Sequence, residues 1–562
     1  MLKKTTFFFL LALFTLGFSF PQNPADAEDF EDFLNELQPD FLEGEGEAEN
    51  PEFSQGLGKF NPEIQRPLTI CMAAGHLDLN PHTSSYSTES QVINALQEGL
   101  FCYDPKTLDP LPALASDYRI SRDKKRWTFT IRDNAKTSDG LQITPQTVID
   151  SWLRLQKTPD APYASLLDCI RGIKEYREGK IGQEEVGLKA NGQKLTVTLN
   201  NPTAHLPRIL CHHAFSVFTG NMESFSGAYV LKTREENTLV LEKNENYWDS
   251  QNVAVGQIVI EISEDKSENT WLFNTGRSDW LISSFDINSL LNKDAVRISA
   301  VFGTTYLFFT CKNPVWNDAD FRNALLAAVP WGKVRSDNLI QATTLVYPLS
   351  GYPEVEGLYE TSEEEALELM EDARKKAGIA PDKKLQLTFG IADNDYMKGL
   401  ARILMEAWEP LGVELVTFKI SEDQYLSNIP YLNYDLFSYS WIGDFADPLA
   451  FLELFREGST LNQTKWTNPK FTEKLLQAAE ETDEKERYRL LGKAEQILLD
   501  DGVIMPVSHS ISLHAVNPTE LGGWYTNALD IHPLKNLYFR ETKYEMPDNV
   551  AFYLWQDASR IF

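Results

Sequence analysis

The sequence predicts an α/β fold of mixed α+β construction, because strand-like stretches recur along the chain between amphipathic helices. The stretches "RWTFTIR" at 126–132 and "KLTVTLN" at 194–200 alternate apolar and polar residues, as half-buried strands do. "LQLTFGI" and "VELVTFKI" flank the helical stretch "MKGLARILMEAW", which is the strand–helix–strand order of an α/β unit. A chain of 562 residues is too long for one simple core and predicts two or three domains.

The remaining elements are predicted from the same periodicities. Further strands are expected at "RPLTICMA" (66–73), "TLVLEKN" (238–244) and "QIVIEI" (257–262). Thr144 and Pro145 open a helix in which Val148, Ile149 and Trp152 share one face. Near the end, "FTEKLLQAAEETDEKERYRLLGKAEQILLDD" predicts two amphipathic helices divided around Thr482.

The charge and composition argue against several classes of partner. The formal net charge is −30, whereas a nucleic-acid-binding protein needs basic patches, and an anionic membrane surface would repel this chain. Solubility is the simpler explanation of the acidity. No apolar run is long enough for a polytopic membrane protein, so the composition predicts a soluble globular protein.

The N-terminus predicts export. Lys3 and Lys4 precede the apolar stretch "TTFFFLLALFTLGFSF", and "ADA" has the small-x-small pattern of a cleavage site, so residues 1–27 are predicted to be a secretory signal peptide. No cysteine lies near that site, which argues against lipid attachment and predicts a periplasmic or fully secreted protein. Residues 28–65, acidic and without Lys or Arg through residue 58, are predicted to be a linker.

No motif points to catalysis, a metal or a cofactor. The five cysteines are widely spaced and odd in number, so at least one thiol is unpaired within the chain. The Gly-x-Ser-x-Gly, His-Glu-x-x-His and P-loop patterns are absent. His212 and His213 are adjacent and point in different directions, so they are not expected to chelate one ion. The sequence therefore predicts a protein that is not an enzyme.

One segment, "YSWIGDFADP" at 439–448, combines a tryptophan with two carboxylates. Residues 434–442 suit a strand with one or both faces covered, and a glycine then breaks it. Asp447 precedes Pro448 and the apolar run "LAFLELF", which predicts Asp447 as a helix N-cap and Pro448 as the first helical residue. Asp444 has no such structural role, so it is the candidate functional acid.

With these motifs in place, the chain resembles the family 5 extracellular solute-binding proteins, the oligopeptide- and dipeptide-binding proteins of bacterial ABC importers. The resemblance runs from about residue 66 to 540, in sequence order, through "LNPHTSS", "QEGLFCYDP", "WTFTIRDNAKTSDGLQITPQTVIDSWLRL", "APYASLL", "SGAYVLK", "LEKNENYWD", "WNDADFRNALLAAV", "YSWIGDFADP" and "KAEQILLDDGVIMPVSH". It implies a two-lobed periplasmic binding protein fold with three domains and a hinge.

The resemblance also implies how the chain is divided. Domain I is discontinuous, at 66–97, 218–302 and 507–540, domain II is inserted at 98–217, and domain III spans 303–506. The C-terminal tail, 541–562, lies outside the resemblance, and its aromatic residues are expected to pack against the main body.

Position by position, the resemblance places a binding site on the segment 439–448. An acid at the position of Asp444 holds the α-ammonium group of the ligand in peptide-binding relatives, through a charge-assisted hydrogen bond. Trp441 would add cation–π attraction or apolar packing, and the backbone from Ser440 to Ile442 would pair with an extended peptide. Tyr163 is at a family position that reaches the ligand from the inserted domain. The weaker candidates, for which structural packing is the alternative, are Tyr86, Tyr306 and His509.

The chain departs from the family at several of these positions. Basic residues bind the ligand carboxylate in the oligopeptide binders, and the matching positions here are Met397, Ile429 and Ser438. An acidic family position is Phe308, and the family's two disulfide positions are Gly303 and Ile442. Three alternatives follow: recognition of the carboxylate by a basic residue not yet identified, a ligand without a free carboxylate there, or a cationic ligand that is not a peptide.

The leading hypothesis is a periplasmic protein, expected to be a monomer, that delivers peptides to the permease subunits of an ABC transporter. The same fold with a different ligand, such as a sugar, a metal complex or another amine, is the first alternative. The second is an exported enzyme or partner-binding protein that has lost transport, and the acidic N-terminal segment would favour partner binding.

Overall fold

The computed structural model describes residues 66–540 apart from Gly75, His76, Asp337, Ser350, Glu422, Asp423, Asp444 and Ala446, and apart from the side chains of Leu426 and Ser427. The predicted signal peptide, acidic linker and C-terminal tail lie outside the described residues, as does the predicted ligand anchor, Asp444. Strands and helices alternate along the described chain, which confirms the predicted mixed α/β class.

The elements follow one another from Leu68 to Phe539. The strands are β1 (Leu68–Met72), β2 (Phe101–Tyr103), β3 (Pro110–Pro112), β4 (Ala115–Ile120), β5 (Arg126–Ile131), β6 (Leu188–Asn191), β7 (Lys194–Thr198), β8 (Tyr229–Arg234), β9 (Thr238–Lys243), β10 (Gln257–Ile262), β11 (Trp280–Ile282), β12 (Val296–Phe309), β13 (Leu385–Ala392), β14 (Val413–Ile420), β15 (Leu436–Ile442), β16 (Ile504–Val516), β17 (Leu521–Gly522) and β18 (Tyr538–Phe539). The helices are α1 (Ser87–Leu96), α2 (Pro145–Lys157), α3 (Ile173–Arg177), α4 (Leu206–Ile209), α5 (Lys266–Asn274), α6 (Pro314–Asn317), α7 (Ala319–Ala327), α8 (Trp331–Val334), α9 (Glu363–Ala377), α10 (Asp395–Trp408), α11 (Tyr425–Asn428), α12 (Leu449–Leu452), α13 (Pro469–Glu480) and α14 (Glu484–Asp500).

Ten strands form one large sheet in the order β14-β13-β15-β12-β16-β11-β1-β10-β9-β8. Its two longest strands, β12 and β16, pair antiparallel, and their register shifts between Ala300, opposite Ile511, and Thr304, opposite His509. We call the part with β1 and β8–β11 the first half of the sheet and the part with β13–β15 the second half. Two crossing strands thus join two halves, which fits the predicted two-lobed fold.

The register shift requires a small side chain. Gly303 lies directly opposite Ile442 of β15, and an added Cβ would lie 3.0 Å from Ser510 and 3.1 Å from the Ile442 side chain. A larger residue at 303 would therefore have to move its neighbours. The two positions at which the resemblance implies a lost disulfide are direct cross-strand partners, and all five cysteines of this chain are free.

A separate antiparallel sheet of four strands has the order β4-β5-β7-β6. The helix α2 packs against β6 and β7 and begins as predicted, with Thr144 Oγ1 accepting a hydrogen bond from the Thr147 N–H at 3.3 Å. We call β4–β7, α2 and the segment 161–177 the small-sheet unit. It lies within the residues expected to form the inserted domain, and the domain boundaries themselves stay predictions.

The local predictions hold where periodicity is strong. β13 and β14 are parallel neighbours with α10 between them in the chain, which confirms the strand–helix–strand unit. α13 and α14 separate around Thr482, and the Asp483 side chain caps α14 by accepting from the Glu486 N–H. The largest apolar cluster contains residues of the small-sheet unit and of the second half together, so these two parts share one buried contact.

Candidate functional site

Aromatic side chains meet where the small-sheet unit contacts the second half of the sheet. The Tyr163 ring, at the start of a 3₁₀ turn, lies 6.3 Å from the Trp441 ring and 4.2 Å from the His212 ring, between centroids. Trp441 is held in place because its Nε1–H donates to the Ala450 carbonyl at 3.1 Å. The structure therefore brings together two of the predicted ligand residues, one from each side of this contact.

Tyr306 belongs to the same aromatic cluster. It lies opposite Tyr439 on β15, with ring centroids 6.2 Å apart, and its ring is also 6.1 Å from that of Phe455. Burial raises the pKa of the Tyr306 phenol well above its usual value, so it stays protonated at any physiological pH. Its position favours packing, the alternative that the sequence left open.

β15 has one fully paired edge and one partly paired edge. β12 pairs with it from Leu436 to Ile442, whereas β13 pairs with it only at Leu436 and Phe437, among the described residues. Ser440 is exposed, and its hydroxyl oxygen accepts a hydrogen bond from Thr305 Oγ1 at 3.0 Å. An extended chain can add to such an edge by backbone hydrogen bonds.

His509 lies at the register shift. Its Nδ1 is 3.0 Å from Thr304 Oγ1, and that hydroxyl donates its proton to the Leu345 carbonyl at 2.7 Å. His509 must therefore donate from Nδ1, which leaves the lone pair on Nε2. Burial, opposed by a backbone hydrogen bond, lowers the pKa of His509 to about 4, so the imidazole is neutral at neutral pH.

Tyr86 lies elsewhere, at the N-terminus of α1 beside the first half of the sheet. The Glu89 carboxylate accepts hydrogen bonds from the Ser85 and Tyr86 backbone N–H groups at 2.9 and 3.1 Å, which caps the helix. This position is on a different element from Tyr163 and Trp441, and the role of Tyr86 as a ligand residue stays a prediction.

Asp444 is outside the described residues, but both of its described neighbours are packed. The Gly443 N–H donates to the Phe302 carbonyl at 2.8 Å. Phe445 is buried, and its ring stacks on His205 with centroids 6.1 Å apart. The assignment of Asp444 as the ligand anchor stays a prediction.

Asp447 is not the N-cap that the sequence predicts, because Pro448 holds that position in α12; its carboxylate nevertheless has two partners, of which the sequence indicated only the first. Its Oδ1 accepts from the Leu449 N–H at 2.9 Å, but α12 begins at Leu449, so Pro448 is not the first helical residue. Arg487 also donates to both carboxylate oxygens, at 2.6 and 2.9 Å. Burial would raise the pKa of Asp447, and the Arg487 guanidinium outweighs it and lowers that pKa.

An ion network crosses the contact between the small-sheet unit and the second half. Asp168 lies 2.7 Å from Arg177 of its own unit and 3.0 Å from Arg456 of the second half. Arg456 is in turn 2.7 Å from Glu453. Burial alone would lower the pKa of Arg456, and the two carboxylates raise it instead.

Neutral hydrogen bonds lie beside this network. The Thr460 N–H donates to Ser165 Oγ at 3.1 Å, and the Ser165 N–H donates to Thr460 Oγ1 at 3.3 Å. Thr460 Oγ1 donates to the Pro162 carbonyl at 2.5 Å. The segment around Tyr163 is thus fixed to the second half on both its aromatic and its polar side.

The positions that match the family's carboxylate-binding residues are occupied by uncharged, packed side chains. Met397 and Ile429 are buried in apolar clusters, and Ser438 lies 3.1 Å from the Tyr425 hydroxyl. Phe308, at the acidic family position, stacks on Phe437 with centroids 5.9 Å apart. None of these four side chains presents a charge to a ligand.

Three residues of types that can bind a metal, His514, Asp530 and His532, converge at one place, which the sequence did not indicate. Nε2 of His514 and Nε2 of His532 lie 2.9 and 3.1 Å from Oδ1 of Asp530. Trp280 Nε1, which can only donate, points at His514 Nδ1 from 3.1 Å, so neutral His514 carries its proton on Nε2. A metal needs that Nε2 lone pair, so the arrangement favours a hydrogen-bonded triad over a metal centre.

The rings of His212 and His213 lie 4.1 Å apart between centroids, so the prediction that they point in different directions is wrong. His212 Nδ1 accepts a hydrogen bond from the Ala214 N–H, and both nitrogens of His213 contact serine hydroxyls, those of Ser84 and Ser90. Burial lowers the pKa of both histidines. They are therefore neutral packing residues.

Comparisons with known proteins bear on the family and the fold of this chain. The family described as bacterial extracellular solute-binding proteins, family 5 middle, matches residues 109–463. The oligopeptide-binding protein OppA of Bacillus subtilis is 26% identical over 490 residues, which cover 81% of this chain and 89% of that protein. The periplasmic oligopeptide-binding protein OppA of Escherichia coli is 28% identical over 498 residues, covering 82% and 89%.

Solved structures share the fold. The murein tripeptide binding protein MppA of Escherichia coli superposes with a TM-score of 0.74 at 25% identity, covering 85% of this chain and 99% of that one. OppA of Haemophilus influenzae, in complex with the peptide RPPGFSPFR, has a TM-score of 0.74 at 22% identity, covering 86% and 100%. Within the described residues, no helix has the length and apolar character needed to cross a membrane.

Proposed function

This chain belongs to the family 5 bacterial extracellular solute-binding proteins, and from that membership we propose that it captures peptides between its two lobes and delivers them to an ABC permease. The observation that carries the proposal is the contact of Tyr163 with Trp441, 6.3 Å between ring centroids, beside the partly paired edge of β15. A peptide added to that edge would lie between the small-sheet unit and the second half of the sheet.

Recognition through the backbone suits a transporter of many sequences. Strand addition reads N–H and C=O groups, which every peptide has, while water-filled pockets tolerate different side chains. The α-ammonium group is assigned to Asp444, from its position in the family motif. Trp441 then packs against the first ligand residue.

Closure of the two lobes is the expected response to ligand. The register shift between Ala300 and Thr304 interrupts the pairing of the two crossing strands, so bending is easiest there. Hinge closure around a ligand is a common mechanism in binding proteins. The protein is accordingly expected to be an exported monomer with no catalytic activity.

The decisive experiment is native mass spectrometry of the protein purified from its exported compartment, followed by denaturing analysis of what it releases. A ladder of short peptides is expected. A single non-peptide mass would favour the second candidate, the same fold with another ligand, which the uncharged residues at Met397, Ile429 and Ser438 also favour. A protein that carries nothing and is not stabilised by mixed peptides would contradict both.

The anchor is tested by Asp444→Asn. Loss of a charge-assisted hydrogen bond should weaken peptide binding by about 10-fold to 100-fold, measured by titration calorimetry. Asp395→Asn, which neutralises a fully exposed acid at the start of α10, is the matched control and should leave the affinity unchanged. Equal affinity in both variants would remove Asp444 from the site.

A further inference from the structure

Three arginines of the described chain are buried without a carboxylate at salt-bridge distance among the described residues, namely Arg322, Arg335 and Arg374, which are 1%, 3% and 4% exposed. Two of them are satisfied by several backbone carbonyls. Arg322 donates to the Asp501 carbonyl through Nε and Nη2, at 3.0 and 2.6 Å, and to the Trp316 carbonyl through Nη1 at 2.8 Å. Arg374 donates to four different carbonyls, the nearest that of Lys383 at 2.7 Å.

Arg335 differs because the described residues offer it a single acceptor. Nε and Nη2 both donate to the Pro506 carbonyl, at 3.3 and 2.9 Å. The guanidinium carbon also lies 4.2 Å from the centre of the Trp331 ring. Cation–π attraction offsets part of the desolvation of a buried charge, but the guanidinium has five N–H groups to satisfy.

The pKa of Arg335 is consistent with the small number of hydrogen-bond partners found for its guanidinium. Burial lowers the pKa of Arg335 to about 10, and no described anion raises it. A buried cation without a counter-charge is costly, and proteins rarely retain one without a ligand or an ion to pair with.

Arg335 also lies beside the candidate site. Its acceptor, Pro506, is the residue of β16 directly opposite Tyr306. The positive charge of Arg335 is close enough to His509 to contribute to the low pKa of that imidazole. The guanidinium is therefore close to His509, one of the residues assigned to the ligand from the sequence.

We propose that Arg335 binds a carboxylate of the ligand, in the first place the C-terminal carboxylate of a peptide. A guanidinium pairs with a carboxylate through two parallel N–H···O bonds, and in a buried site such bonds are strong. The pair would supply the counter-charge that the described residues do not give Arg335, and it would replace the basic residues missing at Met397, Ile429 and Ser438. This inference rests on the proposed function, and it narrows the ligand to peptides with a free carboxylate near Arg335.

The test compares two pools of short peptides of equal sequence, one with free carboxyl ends and one with C-terminal amides, on the full mature protein. The wild-type protein should bind the free acids at least about 30-fold more tightly than the amides. Arg335→Gln, which can still donate to the Pro506 carbonyl, should lose that preference and bind the two pools alike. Arg335→Lys should keep part of it, because the charge stays but the bidentate geometry is lost.

Arg374→Gln is the matched control, because it removes a buried arginine that is already satisfied. It should lower the unfolding temperature and leave the preference for free acids unchanged. If Arg335→Gln does not fold, Arg335→Lys and the wild-type comparison still decide the matter.

The outcomes distinguish a failure of the role proposed for Arg335 from a failure of the proposed peptide-binding function. Tight binding of both pools by the wild-type protein, unaffected by Arg335→Lys, would refute the role of Arg335 and keep the peptide-binding function. If the protein preferred only peptides with acidic side chains, and Arg335→Gln abolished that preference, Arg335 would bind a side-chain carboxylate and not the C-terminal one. Binding of neither pool would refute the peptide function together with this inference.

Discussion

Two arginine–carboxylate contacts of this protein differ in design. Asp447, which is buried, pairs with Arg487 of α14, and each has only the other at salt-bridge distance among the described residues. Asp168 and Arg456 pair across the contact between the small-sheet unit and the second half, and each keeps a second partner on its own side. We therefore expect the first contact to stay intact and the second to separate when the lobes open.

The difference lies in what separation leaves behind. Pulling the small-sheet unit away from the second half leaves Asp168 with Arg177 and Arg456 with Glu453, so neither charge is left unpaired. Pulling Asp447 from Arg487 leaves two uncompensated charges, which costs several kcal/mol. A contact that must open and close with ligand is best built from pairs that are complete on each side.

The largest expected effect follows from breaking the permanent pair. Asp447→Ala leaves Arg487 buried without its partner and removes a cap from α12, so we expect the free energy of unfolding to fall by about 3–5 kcal/mol. Denaturant unfolding measures the change. The double variant with Arg487→Met should recover much of the loss, and a double variant as unstable as the single one would contradict this account.

Another buried carboxylate, Glu495, has no cation at salt-bridge distance among the described residues, and it sharpens the comparison. Its oxygens accept from the Leu345 and Val346 N–H groups, both at 2.8 Å, and from the Tyr352 hydroxyl at 2.9 Å. Burial raises the pKa of Glu495 to about 7, despite these hydrogen bonds. An arginine partner lowers the pKa of Asp447, and its absence here lets burial dominate.

This pKa predicts a pH dependence. Because the folded pKa exceeds the unfolded one, the stabilisation is fully present below the unfolded value of 4.5 and is lost as pH rises through about 7. Relative to Glu495→Gln, the wild-type protein should lose roughly 3 kcal/mol of unfolding free energy between about pH 5 and about pH 8. Parallel stability curves for the two proteins over that range would contradict the shift.

Breaking the separable contact should change ligand binding more than folding. Asp168→Asn removes the crossing ion pair and leaves Arg456 with Glu453, so we expect the closed form to lose about 1 kcal/mol and the apparent peptide affinity to fall about fivefold. Calorimetry measures the affinity, and small-angle scattering measures the open fraction. If the free energy of unfolding fell by about 1 kcal/mol while the peptide affinity and the open fraction stayed at their wild-type values, Asp168 would contribute to folding alone.

The smallest effect is expected at the rim of the same contact. The Tyr431 hydroxyl donates to the Asp160 carboxylate at 2.9 Å, but Tyr431 is 69% exposed. Such a contact competes with water, so Tyr431→Phe should change peptide affinity and unfolding free energy by less than about 0.5 kcal/mol. A loss as large as that of Asp168→Asn would show that burial is not what separates the two contacts.

Some of the candidate site could be predicted from the sequence. The motif at 439–448 located β15 and, to within one residue, the start of α12, because an acid, a proline and an apolar run together indicate a helix start. The resemblance placed Tyr163 and Trp441 together, and the structure puts their rings 6.3 Å apart. Asp444 stays a prediction of that resemblance.

The rest of the site could not be predicted because its partners are far apart in the chain. Arg487 lies 40 residues from Asp447, and Arg456 lies 288 residues from Asp168, so no periodicity links them. Neither β12 nor β16 was identified as a strand, because each bends at the register shift and pairs with distant segments. The convergence of His514, Asp530 and His532 was missed for the same reason.

The sequence by itself determined the mixed α/β class, most strands and helices with clear periodicity, and membership of a family of solute-binding proteins. Those properties follow from spacing within a few residues or from motifs that keep their order. Only the tertiary structure decided which charges are paired and which side chains are buried together. Pairing and burial depend on which distant segments share a volume of low dielectric, and that is a property of the folded chain.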